Sequence, residues 1–283
     1  MADIAQQILK NKITNYLFGS FGSTVAVFLM ARRFDPSLTV SQSVLLGIVF
    51  AAILFALLLL WYVGKEVIDF FHKKYVESVW GVAIIKLKDV NADIHRLEWL
   101  DIIDEKDFIT TMIGLCDKLK EVFDKKTRDK CCVSIKIPVK HTQDLMQMEV
   151  RNLCRDSSHP DRDTKKYLEA QHSVINNTAF MEVVRSILNN SKDLEYINND
   201  ISATKDYHNT SIGCYTQDKL PYNSELVYPI LPIRQQGKDY KMCGFICIDC
   251  PKTNAFGNHV YDVAMVQSIS DSIYDTMVRM SIA

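Results

Sequence analysis

Arg151 and Arg155 stand near the end of a segment with strand-like alternation, and each guanidinium offers forked donors that match a phosphate. Three further basic residues follow that could join them, namely Arg162, Lys165 and Lys166. Carboxylates are interleaved with these cations at Asp156, Asp161 and Asp163, so a self-neutralising surface loop explains the same pattern and is favoured. Arg151 and Arg155 are kept as candidate ligand-binding residues.

Asn177 and Thr178 stand at the predicted start of an apolar helix over residues 177–188. Backbone N–H groups at the start of a helix can hold an anion, which makes both residues ligand-binding candidates. Capping of the helix by the same side chains is the alternative, and it requires no ligand.

Further ligand-binding candidates lie in or beside irregular segments. A turn is predicted at Asn199 and Asp200, and the ring of Tyr207 could stack on a base, although exposed tyrosines in loops often bind nothing. Asp249 ends a predicted strand, where its carboxylate would either meet a ligand or accept the backbone donors of the next turn.

Metal and catalytic signatures are weak in this sequence. Three cysteines and a histidine (Cys243, Cys247, Cys250 and His259) have the ligand types for zinc, but no paired CxxC motif accompanies them. The motifs HExxH, GxSxG, GxxxxGK[ST] and GxGxxG are absent, and the 7 histidines are scattered. We therefore predict no metal site, no cofactor and no enzymatic activity.

A long apolar run at residues 44–63 contains no charged residue and no proline. A helix needs about 20 apolar residues to cross the hydrocarbon of a bilayer, and this run has that length. It predicts a transmembrane helix, with the lipid bilayer as a partner.

A second, weaker span is predicted at residues 13–31. Its polar interruptions include Asn15, Gly19 and Ser23, which recur every fourth residue and so share one face of a helix. Small and hydroxyl residues arranged in this way suit either close packing between helices or the lining of a pore. The two spans predict a transmembrane helical hairpin within residues 1–63.

The flanking charges and the cysteines predict an orientation. More basic residues lie on the outer sides of the two spans than in the short connection between them, which predicts that both termini are cytoplasmic. The 8 cysteines have no evenly spaced framework, which suits free thiols in a reducing compartment. The formal net charge of -1 gives no basic excess, so duplex nucleic acid is not expected as a partner.

The remaining chain is predicted to be an α+β module. A connecting helix is predicted over 64–100, and a domain over 101–283. Apolar alternation predicts four strands, at 131–139, 148–154, 225–233 and 240–250, of which the last is apolar on both faces and should lie centrally in a sheet.

The order of these elements, together with SELVYPILPI, GFICIDC, Phe256 and the final helix, resembles the GAF family of small-ligand sensor domains. The resemblance implies a GAF-like antiparallel sheet with flanking helices, and a pocket between one sheet face and the irregular chain over 155–222. No cysteine is followed by histidine, as bilin attachment would require, and Asp262 is followed by Val263 rather than by the glutamate of the cyclic-nucleotide pattern.

The layout of two spans followed by a sensor domain is similar to that of bacterial anti-phage membrane effectors controlled by nucleotides. By analogy, we predict a homo-oligomer in the bacterial inner membrane. Its domain would sense a small ligand, expected to be a nucleotide or short oligonucleotide, and would control a pore or a membrane lesion because the membrane helices are the expected route of output. The alternative is a membrane-tethered GAF scaffold for dimerisation or partner docking.

Overall fold

The computed structural model describes residues 39–140, 142–158, 169–215, 219–232, 241–257 and 259–280, together with isolated positions before residue 39. Its contacts divide the chain into two units, Met1–Glu77 and Ser78–Ala283. Most of the first predicted span, including Asn15, Gly19 and Ser23, lies outside the described residues. The hairpin therefore stays a prediction.

Within the N-terminal unit, the described chain is dominated by the first part of helix α1 (Val40–Glu98). The helix begins with a capping box, because the Thr39 N–H donates to Gln42 Oε1 at 3.0 Å and the Gln42 N–H donates back to Thr39 Oγ1 at 3.4 Å. Large apolar side chains such as Leu57 and Leu60 are exposed along it. By length and composition, α1 could cross a membrane, and it contains the span predicted at 44–63.

The C-terminal unit is built on a six-stranded antiparallel sheet in the order β3-β2-β1-β6-β5-β4. The strands are β1 (Cys132–Pro138), β2 (Glu149–Arg155), β3 (Gln171–Ser173), β4 (Tyr196–Asn198), β5 (Ser224–Pro229) and β6 (Phe245–Cys250). Strand β6 lies between β1 and β5, so the predicted central position is confirmed. The predicted antiparallel sheet is also confirmed.

The ladder between β5 and β6 changes at Gly244, and this explains why the two strands are shorter than their apolar runs. Gly244 has a φ of 141°, a backbone conformation that favours glycine. Pairing continues irregularly beyond it, because the Ile230 N–H donates to the Gly244 carbonyl at 2.8 Å and the Cys243 N–H donates to the Ile230 carbonyl at 3.0 Å. The predicted strands at 225–233 and 240–250 therefore contain regular ladder only up to Pro229 and from Phe245 onwards.

One face of the sheet, the helical face, is covered by three helices: the Ser78–Glu98 part of α1, α2 (Glu105–Thr127) and α4 (His259–Arg279). Strand residues such as Ile135, Leu226 and Ile246 join the helices in one large apolar core there. The helices are also joined by polar contacts, since Ser272 Oγ donates to Asn91 Oδ1 at 3.1 Å and Arg279 donates to the Glu98 and Leu100 carbonyls at the end of α1.

The opposite face, the pocket face, carries a smaller apolar core under helix α3 (Thr178–Leu188). Phe180 stacks on Phe245 there, with ring centroids 4.5 Å apart. The predicted helix over 177–188 is confirmed, and Asn177 is its N-cap, accepting the Phe180 N–H at 3.2 Å. The irregular chain over 199–215 and 219–223 continues the cover beside this helix.

Candidate functional site

A polar pocket opens on the pocket face, and its floor comes from alternate residues of three neighbouring strands. These residues are Ser134 and Lys136 of β1, Cys247 and Asp249 of β6, and Glu225 and Val227 of β5. Most of their chain neighbours, such as Ile135, Leu226 and Ile248, lie in the apolar core of the helical face. The period of two in a strand therefore separates the mainly polar floor from a mainly apolar row.

The roof of the pocket is formed by the start of α3 and by the irregular chain. Asn177 and Phe180 come from the helix, and Asn209, Ser211, Tyr215 and Tyr222 come from the loop segments. Including its open mouth, the pocket measures about 350 Å³. The pocket is polar and partly open to solvent.

Two carboxyl groups face each other across the floor, because Glu225 of β5 is the direct cross-strand partner of Asp249 of β6. Glu225 is only 2% exposed, and its Oε1 has no hydrogen-bond partner among the described residues. Burial raises the pKa of Glu225, a hydrogen bond with Tyr207 opposes this rise, and the charge of Asp249 adds to it, so that the pKa is about 8. The pair therefore keeps one proton at neutral pH.

An amide connects two tyrosines above this pair. Asn209 Nδ2 donates to the Tyr207 hydroxyl at 2.9 Å and to the Tyr222 hydroxyl at 2.8 Å. Burial raises the pKa of both tyrosines well above the usual value, and the charges of Glu225 and Asp249 add to the rise. Both hydroxyls thus keep their protons and serve as hydrogen-bond donors.

Lys136 is the basic residue of the floor, and it is only 4% exposed. Its Nζ donates to Asn152 Oδ1 of the adjacent strand at 2.9 Å. Burial lowers the pKa of Lys136, and the positive charge of Arg155 adds to the lowering. The charges of Cys247 and Asp249 act in the opposite direction. The pKa of Lys136 therefore lies below that of an exposed lysine, with burial as the main cause.

Of the ligand-binding residues predicted from sequence, the structure brings Asn177 and Asp249 into the pocket lining. Tyr207 is connected to the site through Asn209 and Glu225. Thr178 is engaged with the chain opposite, because its N–H donates to the His208 carbonyl and its Oγ1 accepts the His208 N–H, both at 2.9 Å.

Asn199 and Asp200 hold local structure outside this lining. Asn199 Oδ1 accepts the Phe256 N–H at 2.9 Å. The Asp200 side chain accepts the Ala203 N–H at 3.1 Å and caps a short 3-10 helix, Ile201–Ala203. Both residues therefore position the segment beside the pocket.

The two arginines are separated by the sheet. Arg155 pairs with Ser134, whose side chain faces the pocket, whereas Arg151 pairs with Ile137 of the helical core. An irregularity in the register between Ile135 and Lys136 moves the two arginines to opposite faces. They do not form one phosphate clamp, and neither lines the pocket.

Sequence reasoning missed Glu225, Lys136 and Asn209. A signal for the first two does exist, since each is the single charged residue of a mainly apolar strand. A lone charge of this kind in a central strand is buried and requires a partner. No such signal exists for Asn209, which sits in irregular chain.

Within the ranges that the structure describes, no group of three His, Cys, Asp or Glu side chains could hold a metal ion. The cysteines considered for zinc point in different directions, since Cys243 and Cys250 belong to the helical core and Cys247 lines the pocket. His259 begins α4.

The known proteins that this chain resembles are found among solved structures. No family model matches the chain, and no curated protein matches it. Solved structures do match, among them type II free methionine-R-sulfoxide reductase from Thermoplasma acidophilum, with 21% identity, a TM-score of 0.40, and coverage of 62% of this chain and 96% of that one. The GAF domain of a phosphoenolpyruvate-protein phosphotransferase from Acinetobacter matches with 10% identity, a TM-score of 0.44, and coverage of 70% and 94%.

A GAF sensor protein from Burkholderia vietnamiensis matches with 8% identity, a TM-score of 0.42, and coverage of 72% and 98%. GAF domains are thus among the structural neighbours of this chain, as its sequence resemblance led us to expect. The prediction that the protein is not an enzyme is contradicted by these matches, because reductases are among them. Our prediction relied on missing motifs, and a site assembled from several strands and loops need not contain any contiguous motif.

Proposed function

We propose that the protein is a membrane-attached receptor whose pocket binds a small cationic ligand. The observation that carries this proposal is the carboxyl pair, Glu225 and Asp249, which lie opposite each other on adjacent strands. Glu225 is buried with an oxygen that has no partner among the described residues, and a ligand that donates a hydrogen bond would supply one.

The burial of the Glu225 oxygen that lacks a partner among the described residues costs free energy. A buried polar atom without a hydrogen bond costs roughly 1–3 kcal/mol, and an uncompensated charge beside it costs more. The pair holds one proton and one negative charge, so a ligand with a single positive charge would balance it. Because Lys136 and the tyrosine hydroxyls are donors, an acceptor atom elsewhere on the ligand would face them.

The nucleotide predicted from the layout fits this lining in one orientation. Its base could donate hydrogen bonds from amino or imino groups to Glu225. Its phosphates would be repelled by the charge of Asp249, and the start of α3 offers little to an anion because Asn177 and the His208 carbonyl already accept the Phe180 and Thr178 N–H groups. A cationic molecule without phosphate is therefore the better candidate.

Ligand binding is tested by titrating the detergent-solubilised chain with primary ammonium compounds, adenosine and adenosine monophosphate, using calorimetry. We expect an ammonium compound to bind, and Asp249→Asn to weaken it by about tenfold to hundredfold, because a charge-assisted hydrogen bond contributes roughly 1.5–3 kcal/mol. The control is Asp193→Asn, at an exposed loop position. Equal affinities in wild type and Asp249→Asn, or binding of the monophosphate alone, would refute the proposal.

The membrane part of the proposal is supported by the apolar side chains exposed along α1, for which a bilayer is the partner of matching chemistry. In this proposal the chain forms the predicted hairpin, assembles as a homo-oligomer, and couples ligand occupancy to a pore or lesion in the bilayer. A ligand can do this only if it binds one assembly state more tightly than another.

Attachment to the bilayer is tested with a charged residue in the apolar run. Leu57→Arg should move a large share of the protein from the vesicle fraction to the aqueous fraction in liposome flotation, since an arginine at the centre of a spanning helix costs about 2.5–3.5 kcal/mol. His72→Arg, at an exposed polar position of the same helix, should leave flotation unchanged. Wild-type protein that stays in water without detergent would disprove attachment.

A further inference from the structure

The side-chain amide of Asn209 has one orientation, because its two ends make different hydrogen bonds. Its Oδ1 accepts the Ser211 N–H at 2.9 Å, so Nδ2 is the end that contacts the two tyrosines. This nitrogen carries two hydrogens, and it donates to the Tyr207 hydroxyl at 2.9 Å and to the Tyr222 hydroxyl at 2.8 Å. Both hydroxyl oxygens accept in these bonds, and each hydroxyl therefore keeps its own proton for a different acceptor.

The protons of the two tyrosines have different surroundings. The Tyr207 hydroxyl is hydrogen-bonded to Glu225, and because this bond lowers the pKa of the carboxyl, Tyr207 is its donor. Tyr222 lines the pocket and is only 6% exposed, and no acceptor for its proton is found among the residues that the structure describes. A buried donor without an acceptor is unfavourable, so a ligand that accepts this proton gains affinity.

A second roof residue has the same polarity. Asn177 lines the pocket, and its Oδ1 accepts the Phe180 N–H at 3.2 Å as the N-cap of α3. The Nδ2 group is the opposite end of this amide, and it can only donate. The roof thus offers hydrogen-bond donors, whereas the floor offers the carboxyl groups of Glu225 and Asp249.

The charges of the pocket favour a neutral acceptor at Tyr222. Burial is the main cause of its raised pKa, and the negative charges of Asp249 and Glu225 add to the rise. The same charges would repel an anionic group at this hydroxyl. Because the hydroxyl already accepts from Asn209, a group that only accepts, such as a carbonyl oxygen, is the best partner for its proton.

We propose that Tyr222 is the specificity-determining residue of the pocket and donates to a neutral carbonyl oxygen of the ligand. This inference rests on the proposed function, because the carbonyl belongs to the molecule whose cationic group faces the carboxyl pair. The hydroxyls of Tyr207 and Tyr222 contact the same nitrogen and so lie about 5 Å apart, and Tyr207 in turn contacts Glu225. The ligand class is therefore a primary ammonium compound with a carbonyl group a few bonds from its nitrogen.

The experiment uses the full chain in detergent and two ammonium compounds with the same branching. Glycinamide has a carbonyl oxygen and an amide nitrogen where isobutylamine has two methyl groups. At slightly acidic pH both amines are protonated and carry a single positive charge, and ligand-observed NMR measures both affinities. We expect wild type to bind glycinamide about threefold to tenfold more tightly than isobutylamine, the size of effect that one neutral hydrogen bond gives.

Tyr222→Phe keeps the ring and removes the hydroxyl. It should weaken glycinamide binding by about threefold to tenfold and leave the affinity for isobutylamine nearly unchanged. The ratio of the two affinities is the readout, because a general disturbance of the pocket would weaken both compounds together. Tyr228→Phe is the matched control, since it makes the same change at a tyrosine of β5 that lies in the helical core.

The inference fails if wild type binds isobutylamine as tightly as glycinamide, a comparison that needs no variant. It also fails if Tyr222→Phe, folded by near-UV circular dichroism, keeps the wild-type ratio. Failure of the proposed function has a different signature, namely affinities for both compounds that are unchanged in Asp249→Asn. Binding of both compounds that depends on Asp249, without a preference for glycinamide, refutes the carbonyl contact alone, and wild type that binds neither compound refutes both proposals.

Discussion

Glu225→Gln should make the protein more stable at pH 9 and should remove most of the loss of stability that wild type shows between about pH 5 and pH 9. Glu225 has a pKa of about 8 in the folded protein, against 4.5 for an ordinary glutamate. Because the folded state keeps the proton over this interval and the unfolded state releases it, the free energy of unfolding falls as pH rises.

The contribution of Glu225 is thus complete below about pH 4.5 and lost as pH rises through about 8. A shift of this size corresponds to roughly 3–5 kcal/mol, and glutamine has no proton to lose. Guanidinium unfolding in mild detergent at several pH values, followed by near-UV circular dichroism, measures the slope. Glu149→Gln, at an exposed position of β2, is the control and should keep the wild-type slope. An unchanged slope in Glu225→Gln would show that this carboxyl is ionised in the folded protein.

Gly244→Ala should destabilise the C-terminal unit by about 3–5 kcal/mol, more than most single substitutions. A Cβ at this position would lie 1.9 Å from the backbone oxygen of Lys136, and φ is +141°. The obstacle is backbone in a central strand, so no side chain can rotate away to make room, and the conformation itself is strained for any residue with a side chain.

Gly114→Ala is the matched control, because a Cβ there meets nothing within 4 Å and the residue lies inside helix α2. Alanine is the better helix former, so this variant should be equal to wild type or more stable by up to about 1 kcal/mol. Thermal unfolding of both variants in the same detergent measures the difference. A Gly244→Ala protein that unfolds at the wild-type temperature would mean that the β5–β6 ladder adopts another geometry.

Much of the sheet could be predicted because its signal is local. The run from Phe245 to Ile248 is apolar on both faces, and a strand covered on both sides accommodates that pattern. The start of α3 could be predicted in the same way, since Asn177 before an apolar helix is a typical N-cap.

The register of β2 against β1 could not be predicted from the sequence. Residues four apart in a regular strand share a face, so an undistorted β2 would hold Arg151 and Arg155 on the same side. One irregularity against β1 moves them to opposite faces, and the sequence of β2 contains no local sign of it.

The site itself was the least predictable part. Glu225 and Lys136 lie far apart in the chain and line one pocket only because β5 and β1 both flank β6 in the sheet. Asn209 gains its role from two tyrosines, Tyr207 and Tyr222, that fold around it. Pair contacts of this kind depend on tertiary structure, which periodicity does not encode.

The contrast between floor and roof has a consequence for how ligand preference can change. Floor residues such as Lys136 and Glu225 belong to strands whose alternate side chains form the main apolar core, so their substitution disturbs the scaffold. Roof residues such as Ser211 and Tyr215 belong to irregular chain, which tolerates exchange and changes of length far better. A redesign for new molecules should therefore diversify the roof and leave the strands intact.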